Sequence, residues 1–238
     1  MNYWAIIPAA GVGKRMNSNC PKQYLLLDEF SILFHTLSIF IQHRKITGVV
    51  IAISEGDQYW PEIYQQLPQS EKTILVAPGG KERSDSVLSA LKTLANYIND
   101  DCMVLVHDAA RPCLLASDID KLIQELNHHA VGGILGLPVV DTLKRCNINQ
   151  EIIQTVDRHL MWRALTPQCF SLNLLTRALE QAYQQGQEKL ITDEASAIEL
   201  LGLKPKIIEG DPHNIKVTLP QDLIEARNFI NHRKQTSG

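Results

Sequence analysis

Apolar and polar residues change their spacing repeatedly along this chain, and the changes mark out its elements. Runs of consecutive apolar residues at Trp4–Ile7, 48–53, Thr73–Val76 and Met103–His107 read as buried strands. Between and after them lie longer stretches with helical spacing, at Ile32–Ile41, Asp57–Leu67, 83–98 and 117–127. In 83–98, Val87, Leu88, Leu91, Leu94, Ala95 and Ile98 share one face at the helical period. A further apolar run, Gly132–Leu137, follows. Two-sided apolar strands alternating with amphipathic helices predict an α/β fold, a mostly parallel twisted sheet with helices on both faces. Right-handed crossovers then collect the strand C-termini on one edge, where ligands bind in such sheets.

After Pro138 the pattern changes. Val139–Cys146 and Glu151–Val156 are strand-like and flank the turn Asn147-Ile148-Asn149-Gln150, which predicts a projecting β-hairpin arm over 139–157. Helical spacing returns at Leu172–Tyr183, Asp193–Leu201 and Gln221–Ile230, and the polar end His232–Gly238 is expected to fray. With no repeat and no linker-like tract, residues 1–238 are expected to form a single domain with an arm.

Composition narrows the classes. The 238 residues are 45% hydrophobic and 21% charged, ordinary for a soluble globular protein with a sizeable core. A net charge of −3 gives no reason to expect a nucleic-acid or membrane-surface partner, so any anion site must be local. Cys20, Cys102, Cys113, Cys146 and Cys169 are scattered, odd in number and never C-x-x-C, which predicts reduced thiols rather than disulfides or zinc. The histidines lack metal spacing, and adjacent His128 and His129 would point about 100° apart on a helix. No protein metal ligand is predicted. The start, Met1 to Pro8, has no basic leader, and no apolar run approaches the ~20 residues that span a bilayer. Cytoplasmic residence is expected.

The candidate chemistry gathers after the first strand. Pro8-Ala9-Ala10-Gly11-Val12-Gly13-Lys14-Arg15-Met16 is followed closely by Cys20-Pro21-Lys22-Gln23-Tyr24. A P-loop would need glycine at Pro8 and Ser or Thr at Arg15, and a dinucleotide fingerprint would need glycine at Met16, so both fail. What remains is a small-residue loop whose backbone can approach phosphate closely, with cations at Lys14, Arg15 and Lys22. Two more patches fall at predicted strand ends. Gly79-Gly80-Lys81-Glu82-Arg83-Ser84-Asp85-Ser86-Val87 opens a helix, with Ser84 or Asp85 as its expected cap. Val106-His107-Asp108-Ala109-Ala110-Arg111-Pro112 sets an Asp-x-x-Arg pair at the ligand edge.

Together, Pro-Ala-Ala-Gly-x-Gly-x-Arg-Met after an N-terminal strand and then Pro-Lys-Gln-Tyr resemble the signature of the Rossmann-like nucleotidyltransferase fold. More narrowly they resemble the 2-C-methyl-D-erythritol 4-phosphate cytidylyltransferases, the CTP-using enzymes of the non-mevalonate isoprenoid pathway. Asp141-Thr142-Leu143-Lys144, Thr155-Val156-Asp157-Arg158, Leu165-Thr166-Pro167-Gln168, Ile191-Thr192-Asp193-Glu194-Ala195-Ser196 and Asn214-Ile215-Lys216-Val217-Thr218 extend the likeness over roughly residues 3–230. The resemblance implies that Pro8, Ala9, Ala10, Gly11, Gly13, Gly80 and Ser86 bind the nucleotide. It implies that Asp108, Ala109, Arg111, Thr142, Thr166 and Thr192 bind the acceptor. Arg15 and Lys22 would stabilise the α-phosphate of CTP, while Arg158 and Lys216 orient the incoming phosphate.

The same likeness implies Mg²⁺ held mainly by the triphosphate, and a homodimer in which the arm crosses the interface. The length of 238 residues leads to the expectation of the unfused form of the family, without its second cyclase domain. A ribitol 5-phosphate cytidylyltransferase shares several of these motifs, and the run Ile191–Glu199 resembles the methylerythritol branch more. A non-catalytic nucleotide binder on the same fold is the remaining alternative, and it would not require the cations at Arg15, Lys22, Arg158 and Lys216. A glycine-rich loop with several cations is expected to be mobile over 9–22 without CTP.

Overall fold

The computed structural model describes residues 2–11 and 20–236. Seven strands form its main sheet, in the spatial order β11 (Lys206–Glu209), β7 (Gly133–Pro138), β10 (Trp162–Ser171), β6 (Met103–Val106), β1 (Tyr3–Pro8), β4 (Ile46–Ile53) and β5 (Thr73–Pro78). Neighbours are parallel except at β10, which runs antiparallel to both β6 and β7. A short pair, β2 (Leu26–Leu27) and β3 (Phe30–Ser31), is antiparallel and separate from the main sheet.

The alternation of side chains along β1 builds the layers. Tyr3, Ala5 and Ile7 pack on one face against Leu33, Leu37 and Phe40 of α1 (Ile32–Gln42), Trp60 and Ile63 of α2 (Trp60–Gln66), and Ile119 and Leu122 of α4 (Ala116–Leu126). Trp4 and Ile6 pack on the other face with Val87, Leu91 and Leu94 of α3 (Arg83–Tyr97). That second layer also holds Leu175 and Leu179 of α5 (Leu172–Gln184) and Ile198 of α6 (Glu194–Leu200). Each such Leu or Ile, fully buried, contributes roughly 1.5–3 kcal/mol relative to exposure. The final helix, α7 (Pro220–Thr236), closes a smaller cluster through Ala226 and Ile230 against Leu27, Ile32 and Val217.

The expected helices form where side chains start them. Ser31 Oγ accepts the N–H of Phe34 at 3.1 Å and Ser171 Oγ that of Leu174 at 3.1 Å. On α3 the buried face runs through Val87, Ala90, Leu91 and Leu94, with Ala95 exposed rather than on the core stripe.

Two features depart from simple alternation. Strand β10 sits in the middle of the sheet although it carries Thr166-Pro167-Gln168, and a proline with no N–H argues against a central strand. The register between β10 and β7 jumps from Ala164 to Gln168, so this segment leaves the ladder there. The hairpin of β8 (Leu143–Cys146) and β9 (Ile152–Val156) forms its own two-stranded sheet and is the long connection between antiparallel neighbours β7 and β10. Val140, Ile148, Ile152, Ile153 and Leu160, in and beside it, are exposed. Among the described residues no helix is long and apolar enough to cross a membrane.

Candidate active site

The C-terminal end of β4 anchors the loops on either side of it. Ala9 N–H donates to the Ala52 carbonyl at 2.7 Å, and Gly79 N–H donates to the Ile53 carbonyl at 2.6 Å. The loop after β1 is then tied back from the protein side. Buried Gln23 donates through Nε2 to the Ala9 carbonyl at 2.6 Å, and Ser54 Oγ donates to the Ala10 carbonyl at 3.1 Å. The two loops touch where glycine stands. A Cβ on Gly79 would lie 2.1 Å from Ala10 Cβ, and one on Gly80 would lie 2.1 Å from Asp85 Cβ. Ser86 Oγ accepts the Gly80 N–H at 3.0 Å and donates to the Glu82 carbonyl at 3.3 Å, which fixes the turn into α3. The N-cap of α3 is Glu82, not Ser84 or Asp85: Asp85 sits one turn in and accepts the Glu82 N–H at 2.9 Å.

These loops enclose a cleft of about 240 Å³. It is lined by Pro8, Ala9, Ala10 and Gly11, by Gly80 and Ser86, by Asp108 and Ala109, and by Lys22 and Lys216. Ten residues far apart in the chain are thus brought to one edge of the sheet, as the motif readings require. Gln23, Lys81, Glu82, Arg83 and Ala110 line it too. Four of the lining side chains are cations and two are carboxylates, so the cleft is locally positive in a chain of net charge −3. Among the described residues no group of three His, Cys, Asp or Glu could hold a metal ion.

Asp108 is the hub. Its Oδ1 accepts Arg83 Nε at 2.9 Å, and its Oδ2 meets Lys216 Nζ at 2.9 Å and Arg111 Nε at 3.3 Å. Burial alone would raise this carboxyl, but the charges of Arg83, Lys216 and Arg111 outweigh it and hold Asp108 well below the usual carboxylate range. Behind it, His107 is fully buried with Nε2 3.1 Å from the Arg111 carbonyl and Nδ1 2.9 Å from Thr166 Oγ1. A carbonyl can only accept, so the proton sits on Nε2 and Thr166 donates to Nδ1. Thr166 Oγ1 in turn accepts the Asp108 N–H at 3.2 Å. Burial pushes His107 down to about 4, so the ring is neutral at pH 7.

The segment carrying Lys216 is strapped across this hub. Arg111 Nη1 donates to the Asn214 carbonyl at 2.7 Å, Asn214 Nδ2 to the Thr166 carbonyl at 2.7 Å, and Val217 N–H to the Ala110 carbonyl at 2.8 Å. Lys22 Nζ donates to the Val217 carbonyl at 3.1 Å, so the two expected catalytic lysines of the described chain meet the same strap.

Other predicted residues lie elsewhere. Arg111 and Thr166, expected at the acceptor, are buried behind Asp108 with the bonds just described and do not line the cleft. Thr192 lines a second cleft on the far side of residues 81–83, with Tyr183 and Asp193. Thr142 and Arg158 are exposed on the arm, where Arg158 Nη1 donates to the Val140 carbonyl, and neither reaches the cleft of its own chain. Gly13 and Arg15 lie outside the described residues. Motif reading gave no role to Gln23, Arg83 or Glu194. Their signal was present only as a buried-type position in Pro-Lys-Gln-Tyr and as charges inside two quoted motifs.

With this geometry in hand, the chain matches the family model described as 2-C-methyl-D-erythritol 4-phosphate cytidylyltransferase over residues 3–232. It is 48% identical over 236 residues to the protein of that name from Vibrio parahaemolyticus serotype O3:K6, covering 98% of this chain and 97% of that one. It is 50% identical over 222 residues to the protein of that name from Pseudomonas entomophila, covering 93% and 92%. The crystal structure of the Francisella tularensis 2-C-methyl-D-erythritol 4-phosphate cytidylyltransferase superposes with a TM-score of 0.80 at 34% identity, covering 96% of this chain and 100% of that one.

Proposed function

This chain belongs to the 2-C-methyl-D-erythritol 4-phosphate cytidylyltransferase family, and we propose from that premise how its cleft joins CTP to the acceptor and releases pyrophosphate. The single observation that carries the reading is the meeting of the Pro8–Gly11 loop, Gly80, Ser86, Lys22, Lys216 and Asp108 around one positive cleft. The acceptor phosphate is already ionised at pH 7, so its oxygen attacks the α-phosphorus in line without a general base. The obstacle is repulsion, about 4 kcal/mol per pair of unit charges at ~4 Å and an effective dielectric near 20. Positioning and charge neutralisation therefore dominate.

Backbone groups of the Pro8–Gly11 loop approach the triphosphate, and the Gly80–Ser86 turn receives the base. Lys22, with Arg15, stabilises the crowded α-phosphate, and Lys216 orients the incoming one. Asp108 is already engaged by three cations, and the donor set fits Mg²⁺ held by the triphosphate and water rather than by the protein. Bound there, Mg²⁺ would neutralise charge on the phosphates.

Arg158 and Thr142 reach an acceptor if the arm crosses to the cleft of a second copy. The exposed Val140, Ile148, Ile152, Ile153 and Leu160 support a homodimer made through it. Cytoplasmic residence is consistent with the free thiols of Cys102, Cys113, Cys146 and Cys169.

Pyrophosphate release with CTP and Mg²⁺ tests the reading, offering 2-C-methyl-D-erythritol 4-phosphate and ribitol 5-phosphate in parallel. Turnover with the first alone is expected. Turnover with the second alone would correct the acceptor, and silence with both would overturn the reading.

A further inference from the structure

Glu194 takes no part in the mechanism above and does not line the cleft, yet it is 2% exposed and carries a carboxylate. It stands at the first turn of α6, where Asp193 accepts the Ser196 N–H at 2.9 Å and starts the helix. Its two oxygens accept Arg83 Nη1 at 2.5 Å and Nη2 at 3.1 Å, a forked pair that fixes the guanidinium in plane and in rotation. On the adjacent side of the guanidinium, Nε donates to Asp108 Oδ1 at 2.9 Å. The other oxygen of Asp108 holds the Lys216 ammonium at 2.9 Å. The chain of contacts therefore runs from a buried helix start, through one arginine and one aspartate, to a cation at the cleft.

A bland account makes the Arg83–Glu194 pair a staple between α3 and α6. Stability is a weak reason for it, because removing two charges from water costs several kcal/mol per ion and a packed apolar pair holds two helices as well. Orientation is something an apolar pair does not supply. Asp108 has two oxygens and three cations to satisfy. If Arg83 were loose, it would take both oxygens in a fork of its own and draw Oδ2 from Lys216. Glu194 opposes this by fixing the guanidinium in plane and rotation, in the orientation that meets Asp108 through Nε. Burial pushes the Glu194 carboxyl up and the Arg83 charge opposes it, as expected for a carboxylate kept in place by its partner.

We propose that Glu194 is a positioning residue, which by engaging both Nη groups of Arg83 keeps one oxygen of Asp108 turned to Lys216 and so sets where the incoming phosphate is held. The proposal rests on the transfer reaction assigned above. In Glu194→Gln the amide keeps the shape but offers one acceptor, and its NH₂ opposes a guanidinium N–H. Arg83 then shifts onto Asp108 and Lys216 is released.

The test is steady-state kinetics of Glu194→Gln in the full-length protein, with both substrates varied. The expected loss in kcat/KM for the acceptor is about 10- to 100-fold, the range that a misplacement near 1 Å produces, with KM for CTP within about twofold of wild type. In a cycle with Lys216→Ala, Glu194→Gln should add less than about threefold to the loss, because both changes break one chain of contacts. Unchanged acceptor kinetics, an equal rise in both KM values, or fully additive losses would each overturn the proposal. Should Glu194→Gln not fold, Glu194→Asp retains the charge but retracts it by one methylene, and the same split between the two KM values is expected. The Lys216 side-chain resonance in lysine-¹³C-labelled protein, assigned with Lys216→Arg, gives a readout independent of turnover. A wild-type chain inactive with CTP and acceptor would sink the assigned reaction, while a Lys216 resonance unmoved by Glu194→Gln would sink the positioning claim.

Discussion

The cleft and the arm carry residues assigned to the same reaction in the proposal, but they are built in opposite ways. Every cleft group is tied into the sheet edge: Ala9 and Gly79 hang from β4, Gln23 and Ser54 hold the loop carbonyls, and Asp108 collects three cations. Arg158 and Thr142 on the arm are exposed, and the hairpin that carries them pairs with no strand of the main sheet. The contrast teaches that the described residues assigned to the nucleotide gather within one chain. Under the proposal the acceptor half is completed by the arm of a second copy, since Thr142 and Arg158 do not line the cleft of their own chain.

The comparison can be broken most sharply at Lys22. Lys22→Ala should lower kcat by about 10²- to 10³-fold, the loss typical of removing one donor from a charge-stabilising site. Near-normal pyrophosphate release from that variant would dissolve the proposed division of labour. Mixing comes next. Arg158→Ala alone should raise the acceptor KM by roughly 10-fold or more, as for a lost charged contact. Unfolded together and refolded, Lys22→Ala and Arg158→Ala chains should recover about a quarter of wild-type sites, since random two-fold pairing gives mixed dimers in half the population, each with one intact site. Recovery no greater than the two variants measured separately would place the arm in its own chain's site.

Stability against pH sharpens the inner end of the contrast. His107 is held near 4 by burial, against about 6.5 when unfolded, so between these values the unfolded chain binds a proton that the folded chain refuses. Stability should therefore fall as pH drops from about 6.5 to about 4, by on the order of 3 kcal/mol for a shift of this size, and then level off. Burial lowers His43 as well, which adds a slope of the same sign. Asp108, held below the usual carboxylate range, adds its loss only further into acid. Urea unfolding of wild type and His107→Gln at pH 7, 5.5 and 4 reads the difference, and parallel curves would contradict the assignment. The smallest change to the folded chain should come from the arm. Ile152→Asp, at an exposed hairpin position, should leave chain stability within about 0.5 kcal/mol while sedimentation shows the dimer weakened. A dimer of unaltered strength would remove the arm from the interface.

How much of this was readable from the chain depends on distance along it. The parallel strands other than β11, their covering helices and the hairpin turn follow from local spacing, and each appears within a few residues of where the pattern puts it. Strand β10 does not, because its membership of the sheet is decided by neighbours more than twenty residues away. Its Pro167 breaks the local signal while the register jump at Ala164 absorbs it. The site divides in the same manner. Gly80, Ser86, Asp108 and Lys216 stand in motifs that carry the family resemblance, and the cleft gathers them. Arg111 and Thr166 look like ligands in sequence, yet the fold turns them inward to hold Asp108, His107 and the Asn214 strap.

The sequence by itself determined the α/β class, the family, the small-residue loop after β1 and the cations near it, because spacing and residue chemistry are properties of neighbours in the chain. The tertiary structure alone decided which cations share Asp108, which face the cleft, and that Glu194 stands behind Arg83. Apart from the Asp108–Arg111 pair, these are contacts between distant positions: those that fix Arg83 span 25 and 111 positions of sequence, and nothing local to either partner specifies them.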